Sequence, residues 1–216
     1  MKRPRSDRAG DGAVGRWGAT SKAIAPNRPI PSSPHQVVLG IDPGLATTGW
    51  GVVEKGASGL VLRAFGALLT EAGTPLPQRL RRIRRELSSL IETHKPTILA
   101  IEELYFAKFA VSIAATAQAR GVILVTAAEN EIPVVEYNPR AVKIAMTGFG
   151  SASKIQMQAM LQRHFRLTEL PRPDDAADAV AIALCHVQTR PGIHVPVSRK
   201  SRAEFEAELA ARAGAA

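Results

Sequence analysis

Acidic residues at the edges of apolar runs constrain the fold of this chain more than any other feature of its sequence. Asp42 ends the run VVLGID, and Glu102 ends the run TILAIE. Asp175 and Asp178 interrupt the apolar pattern of PRPDDAADAVAIALCH. An uncompensated charge is costly in a buried segment, so these acids are expected at the edge of a core. Carboxylates gathered in this way usually need a cation, and their hard oxygens suit Mg²⁺ or Mn²⁺.

The apolar periodicity predicts an α/β fold. Short β-branched runs are typical of buried strands, and apolar residues spaced three and four apart predict amphipathic helices. Strands are predicted at 37–42, 47–55, 60–70, 97–102 and 133–138, and helices at 76–95, 109–130, 153–165 and 174–188. The order βββαβαβαα predicts a three-stranded meander that continues into a mixed sheet flanked by helices.

The composition separates a foldable body from two polar ends. Residues 37–190 are long enough to bury a core. Residues 1–36 are basic and rich in Gly, Pro and Ser, which predicts a disordered extension or an upstream-misassigned start, and residues 191–216 form a tail with one short helical segment. The lone Cys185 and the lack of a run near the roughly 20 apolar residues of a membrane span predict a cytoplasmic protein. The net charge of +9 favours a polyanionic partner.

The two strand-end acids are predicted at the carboxyl edge of the sheet, where open α/β sheets bind ligands. For Asp42 the alternative is a turn residue whose side chain bonds its own loop. Glu102 and Glu103 are adjacent, and because side chains alternate along a strand only one of them can share a side with a given neighbour. The strand pattern alone does not decide between the two.

The two later aspartates share one face of a predicted helix. Asp175 and Asp178 are spaced i, i+3, which places both side chains in the first turns of that face. Capping and the helix dipole account for Asp174, but Asp178 lies inside the helix, where Asp is a poor helix former. The alanines around them let the helix approach the sheet and carry both aspartates to the strand ends.

Two lysines and two aromatic residues lie close in sequence to these acids. Lys143 and Lys154 flank a Gly-rich segment and are candidates for binding phosphate, with ordinary surface lysines as the alternative. Tyr105 and Phe106 directly follow the Glu pair. Exposed aromatic rings beside an acidic site can stack on unpaired bases, and a core role is the alternative.

Four segments together resemble the RuvC family of Holliday-junction resolvases. GIDPG followed by TGWGVV is similar to the family's opening motif, and AIEELYFAKFA with AQARGV to its second acidic segment. EYNPRAVKIAMTGFGSASK is similar to the lysine-bearing segment, and DDAADAVAIALCH to the closing acidic helix. The segments occur in the family's order over about residues 37–190.

The resemblance implies an RNase-H-like fold with a five-stranded mixed sheet and a set of site residues. The implied metal-binding catalytic acids are Asp42, Glu102, Asp175 and Asp178, which selects Glu102 over Glu103. The implied basic residues near the scissile phosphate are Lys143 and Lys154, and the implied contacts to unpaired bases are Tyr105 and Phe106.

The resemblance also implies a reaction and partners. The reaction is hydrolysis of a phosphodiester in four-way junction DNA, with two Mg²⁺ ions (Mn²⁺ substituting) and with Lys154 stabilising transition-state charge. Paired cuts in symmetry-related strands imply a homodimer, for which the helix at 109–130 is a candidate interface. The family's branch-migration proteins RuvA and RuvB are the other implied partners.

Three other functions fit parts of the sequence. One is an RNase-H-like nuclease for RNA–DNA hybrids or ribosomal RNA. Another is an actin-like or sugar-kinase ATPase, because IDPGLATTG resembles a phosphate loop, but the chain is too short for the two domains of that fold. The third is a DNA-binding module that uses the fold without metal.

Overall fold

A computed structural model describes residues 35–104 and 110–188. Tyr105, Phe106, the segment before residue 35 and the tail after residue 188 lie outside the described residues. The elements are β1 Gln36–Asp42, β2 Thr47–Gly56, β3 Gly59–Leu69, α1 Leu76–His94, β4 Ile98–Glu102, α2 Ala110–Glu129, β5 Val134–Tyr137, α3 Pro139–Thr147, α4 Lys154–Phe165 and α5 Asp174–Gln188. None of the helices in the described ranges has the length and apolarity needed to cross a bilayer.

The five strands form one mixed sheet, as predicted, and their order in the sheet is β3-β2-β1-β4-β5. The first three strands pair antiparallel, and β4 and β5 continue the sheet in parallel with β1. Ile41 pairs with Ile101 across β1 and β4, so the next residues, Asp42 and Glu102, end neighbouring parallel strands. Glu102 in turn pairs with Tyr137 on β5. The carboxyl ends of three parallel strands therefore meet at one edge.

Helices cover both faces of the sheet. Alternation along β1 and β4 sends Leu39, Ile41, Leu99 and Ile101 into a core cluster with α1 and α2. Residues of opposite parity, such as Val38 and Ala100, belong to a second cluster that includes α3, α4 and α5. Burying both faces in this way is typical of sheets with parallel strands and explains why their sequences are almost continuously apolar.

The structure corrects the prediction in one segment, because a fifth helix, α3, fills much of the segment between β5 and α4. Its first turn is stabilised by Asn138, whose side chain accepts a hydrogen bond from the Arg140 backbone N–H at 2.9 Å, and by Pro139 in the first helical position. Lys143 consequently lies within a helix rather than beside a long Gly-rich loop. The helix ends at Gly148, whose φ of 82° is the left-handed conformation common after helices.

Candidate active site

The tips of β1 and β4 bring two carboxylates together. Asp42 and Glu102 point to the sheet face covered by α5, because they share the parity of Val38 and Ala100. The two side chains are hydrogen-bonded to each other. Glu103 points elsewhere: its carboxylate accepts a hydrogen bond from the Asn138 amide at 3.4 Å. The structure therefore places Glu102, and not Glu103, beside Asp42.

Helix α5 reaches these tips because glycines leave room for its backbone. A Cβ atom added at Gly40 of β1 would lie 2.1 Å from the carbonyl oxygen of Ala179, and one at Gly49 of β2 would lie 2.0 Å from that of Asp175. The first turns of the helix thus rest on the strand backbone itself. Our sequence reasoning named the alanines of α5 and missed these glycines, although glycine inside a strand is a sign of close backbone approach.

All four acids interact at this edge. The pKa of Asp42 is raised to about 8, chiefly because the carboxyl is buried and also because Glu102, Asp178 and Asp175 lie close to it. Burial likewise raises the pKa values of Glu102 and Asp178. In Glu102 this effect is opposed by the contact with Asp42 and by the positive charges of Arg120 and Lys143.

Lys154 lies at the rim of the acidic group. Its ammonium is 3.0 Å from Asp174 Oδ2 and 3.6 Å from Asp178 Oδ2. Burial lowers the pKa of Lys154, but the hydrogen bond to Asp174 and the charge of Asp178 outweigh burial and raise it. Lys143, on α3, is close enough to Glu102 for its charge to oppose part of the rise in the pKa of that carboxyl. Asp174 is the more exposed of the adjacent aspartates and contacts the lysine rather than the Asp42–Glu102 pair.

A further charged residue, Arg120 of α2, was missed by the sequence reasoning. It is only 7% exposed, and it donates a hydrogen bond to the backbone carbonyl of Glu102 at 2.5 Å. Its positive charge partly opposes the rise in the pKa of Glu102 that burial causes. The available signal was an arginine within the otherwise apolar helical run that follows AQA, since arginine is almost never buried without partners.

The acidic group suits a divalent cation by its chemistry. Its donors are carboxylate oxygens, the ligands of Mg²⁺ and Mn²⁺, and their mutual repulsion at Asp42 would be relieved by a positive charge. Within residues 35–104 and 110–188, no three acidic, His or Cys side chains already stand in positions to hold a metal together. Binding would therefore require at least three of the carboxylates to converge on one point, with Asp178 released from Lys154.

Comparisons with known proteins agree with the fold and the motifs. The family model described as crossover junction endodeoxyribonuclease RuvC matches residues 38–186. A protein of that name from Endomicrobium trichonymphae is 53% identical over 154 residues, covering 71% of this chain and 81% of the relative. Another from Chloroflexus aggregans is 51% identical over 153 residues, covering 71% of this chain and 93% of the relative.

Solved structures show the same similarity. The Thermus thermophilus RuvC structure in complex with a Holliday junction substrate superposes with a TM-score of 0.67 and 37% identity, over 71% of this chain and 93% of that one. A yeast mitochondrial Holliday junction resolvase has a TM-score of 0.51 at 15% identity, over 76% of this chain and 82% of that one, and supports the fold alone.

Proposed function

This chain belongs to the RuvC family of crossover junction endodeoxyribonucleases, and we propose that it resolves four-way DNA junctions by hydrolysing phosphodiesters at the acidic edge of its sheet. One observation carries the proposal: Asp42 and Glu102 end neighbouring parallel strands, and the start of α5, which carries Asp175 and Asp178, packs on Gly49 directly opposite Asp42. The relative whose structure contains a Holliday junction substrate gives the substrate class. The net charge of +9 fits a polyanionic substrate.

We assign the four acids to metal binding and catalysis. They would hold two Mg²⁺ ions, for which Mn²⁺ can substitute, and ions at such a site supply an activated water and stabilise the leaving 3′-oxygen. The products would be a 5′-phosphate and a 3′-hydroxyl. The protein contributes a rigid frame, because the strand tips and the α5 backbone that carry the acids are packed against one another.

The lysines are assigned to the phosphate. The ammonium of Lys154 lies at the rim of the acids, where it can donate to a phosphate oxygen and stabilise negative charge that develops during cleavage. Lys143 is placed near Glu102 and would contact the DNA backbone. Tyr105 and Phe106 remain candidates for stacking on unpaired junction bases.

The homodimer follows from the reaction, and the branch-migration partners follow from the family resemblance. Productive resolution needs two cuts in strands related by a two-fold axis, and a C₂ homodimer supplies two sites with that relation. We propose that α2 forms the interface, and that the dimer works with the branch-migration proteins RuvA and RuvB.

The test is cleavage of a synthetic four-way junction in Mg²⁺, with nicks mapped on all four strands. Asp178→Asn should lower the single-turnover cleavage rate by at least about 100-fold while junction binding persists, because a charged group at the reacting centre is lost. Asp174→Asn is the matched control, since the Asp174 side chain is also exposed at this helix end (65%, against 49% for Asp178) and contacts the same lysine.

Two results would contradict the proposal. If Asp178→Asn cuts near the wild-type rate, the assignment of that acid is wrong. If the wild-type protein cuts an RNA–DNA hybrid in preference to the junction, the chain acts as a different RNase-H-like nuclease. Calorimetric uptake of Mn²⁺ that is lost in Asp178→Asn would distinguish either nuclease from a module that binds DNA without metal.

A further inference from the structure

The buried guanidinium of Arg120 has no role in the function proposed so far. Arg120 lies on α2, within the helical layer on the face of the sheet opposite the acids, since its neighbours Ala119 and Ile123 belong to that layer's core. Its side chain is 9% exposed. Moving a permanent charge out of water costs free energy, so a buried arginine needs partners that compensate its charge.

The contacts of Arg120 lie at the neighbouring ends of β4 and β5. Its Nη1 donates to the backbone carbonyl of Glu102 at 2.5 Å, and its Nη2 lies 2.8 Å from Oε2 of Glu136 on β5. Glu102 and Glu136 belong to neighbouring strands of the sheet, so one side chain fixes both strand ends. The Glu102 carbonyl is the last strand carbonyl before the chain leaves the sheet.

The contact to Glu102 is the one that accounts for burying the charge. The Glu136 side chain is 47% exposed, and ion pairs with exposed carboxylates contribute little. The hydrogen bond to Glu102, in contrast, is made at the backbone of a residue whose carboxylate points to the opposite face, beside Asp42. Arg120 therefore reaches the site through the backbone that carries one of its acids.

We propose that Arg120 is a positioning residue, which holds the Glu102 backbone from behind the sheet and places a compensating positive charge close to the acids. This inference rests on the proposed function, in which Glu102 is a catalytic acid. A displacement of about 1 Å at a reacting group can cost about 100-fold in rate, so loss of this contact should be visible in cleavage.

The test compares three substitutions in the full chain. Arg120→Met keeps a long side chain without donors, and it should lower the single-turnover cleavage rate by about 10-fold to 100-fold with unchanged junction affinity. Arg120→Lys keeps a donor and the charge, and should recover part of that loss. Glu136→Gln leaves the Glu102 contact in place and should cut at close to the wild-type rate.

An NMR measurement separates positioning from general stability. The Glu103 amide shares the peptide unit whose carbonyl accepts from Arg120, so its chemical shift should move in Arg120→Met and stay in place in Glu136→Gln. If Arg120→Met does not fold, Arg120→Leu, which likewise has no donor and no charge, takes its place in both measurements.

The outcomes distinguish this inference from the proposed function. A folded Arg120→Met protein that cuts at the wild-type rate overturns the role of Arg120 alone. A Glu136→Gln protein as slow as Arg120→Met overturns it too, because the ion pair and not the Glu102 contact would then matter. A wild-type protein that cuts no junction overturns the proposed function, and the Glu103 shift still tests the contact.

Discussion

At the scale of single residues, this site is built from groups that oppose folding. Asp42 is half-buried beside three other carboxylates, and this environment favours its neutral form. A carboxyl whose pKa is higher in the folded state than in the unfolded state destabilises the fold as pH rises between the two values. For Asp42 that interval runs from 3.8 to about 8. The acids therefore lower the stability of the fold while they form a site that can attract cations. Such a loss of stability is common at functional sites.

Replacing Asp42 by Asn should therefore stabilise the metal-free protein in a pH-dependent way. Between pH 5 and pH 8 the folded protein retains the Asp42 proton that the unfolded chain has already released, so each step up in pH favours the unfolded state. The advantage of Asp42→Asn over the wild type should grow by about 1–3 kcal/mol between these pH values. Urea unfolding of both proteins at each pH, with a chelator present, measures the difference.

The control for this experiment is Asp174→Asn. Asp174 is 65% exposed and its partner is Lys154, so its loss should change stability by less than about 1 kcal/mol at either pH. An Asp42→Asn advantage that is the same at pH 5 and pH 8 would show that burial and the neighbouring charges do not act on Asp42 as argued.

At the scale of elements, helix α5 depends on what lies beneath it. The sequence predicted its bounds correctly, because the alanines and the acidic start leave a clear helical pattern. The pattern could not show that Gly40, Gly49 and Gly51 form the surface on which it rests, since that contact joins residues far apart in the chain. Helix α3 was missed for a local reason: an Asn-Pro pair is as common in turns as at the start of a helix.

Gly49→Ala tests this contact between elements. The added methyl would meet the Asp175 backbone at 2.0 Å, and backbone cannot swing aside as a side chain can. We expect a loss of stability of about 1–3 kcal/mol. We also expect slower junction cleavage per folded molecule, because Asp175 and Asp178 would move with the helix. Urea unfolding and single-turnover assays measure the two effects.

Gly73→Ala is the matched control for Gly49→Ala. Among the described atoms, none lies within 4 Å of a Cβ added at Gly73, so stability should change by less than about 0.5 kcal/mol. If Gly49→Ala behaves like Gly73→Ala in both assays, α5 does not need the close approach that the structure shows.

At the scale of the whole molecule, the sequence predicted the class of fold and the mixed sheet. The positions of Asp42 and Glu102 on one edge were also expected, because parallel strands end together. What the sequence could not supply were relations across layers, such as Arg120 reaching the Glu102 carbonyl from the opposite face. The sequence also could not show that one side of α2 is exposed in the monomer. An apolar helix has the same sequence pattern whether a sheet or another subunit covers it.

The outward side of α2 is the feature that a second subunit would explain. Ala114 and Gly121 are exposed, Val125 is 56% exposed, and none of the described atoms lies within 4 Å of a Cβ added at Gly121. Small residues let another backbone approach closely, and a helix with apolar residues on all sides is usually buried all round. The proposed dimer would cover this face.

Gly121→Arg should therefore separate the subunits without unfolding them. The monomer has room for the new side chain, but a partner helix at close range does not, so light scattering coupled to gel filtration should report a monomer. The separated protein should nick junctions singly, because paired cuts need two sites in one complex.

Ser89→Arg on the exposed side of α1 is the control and should remain dimeric. A Gly121→Arg protein that stays dimeric and makes paired cuts would show that the interface does not include the outward side of α2.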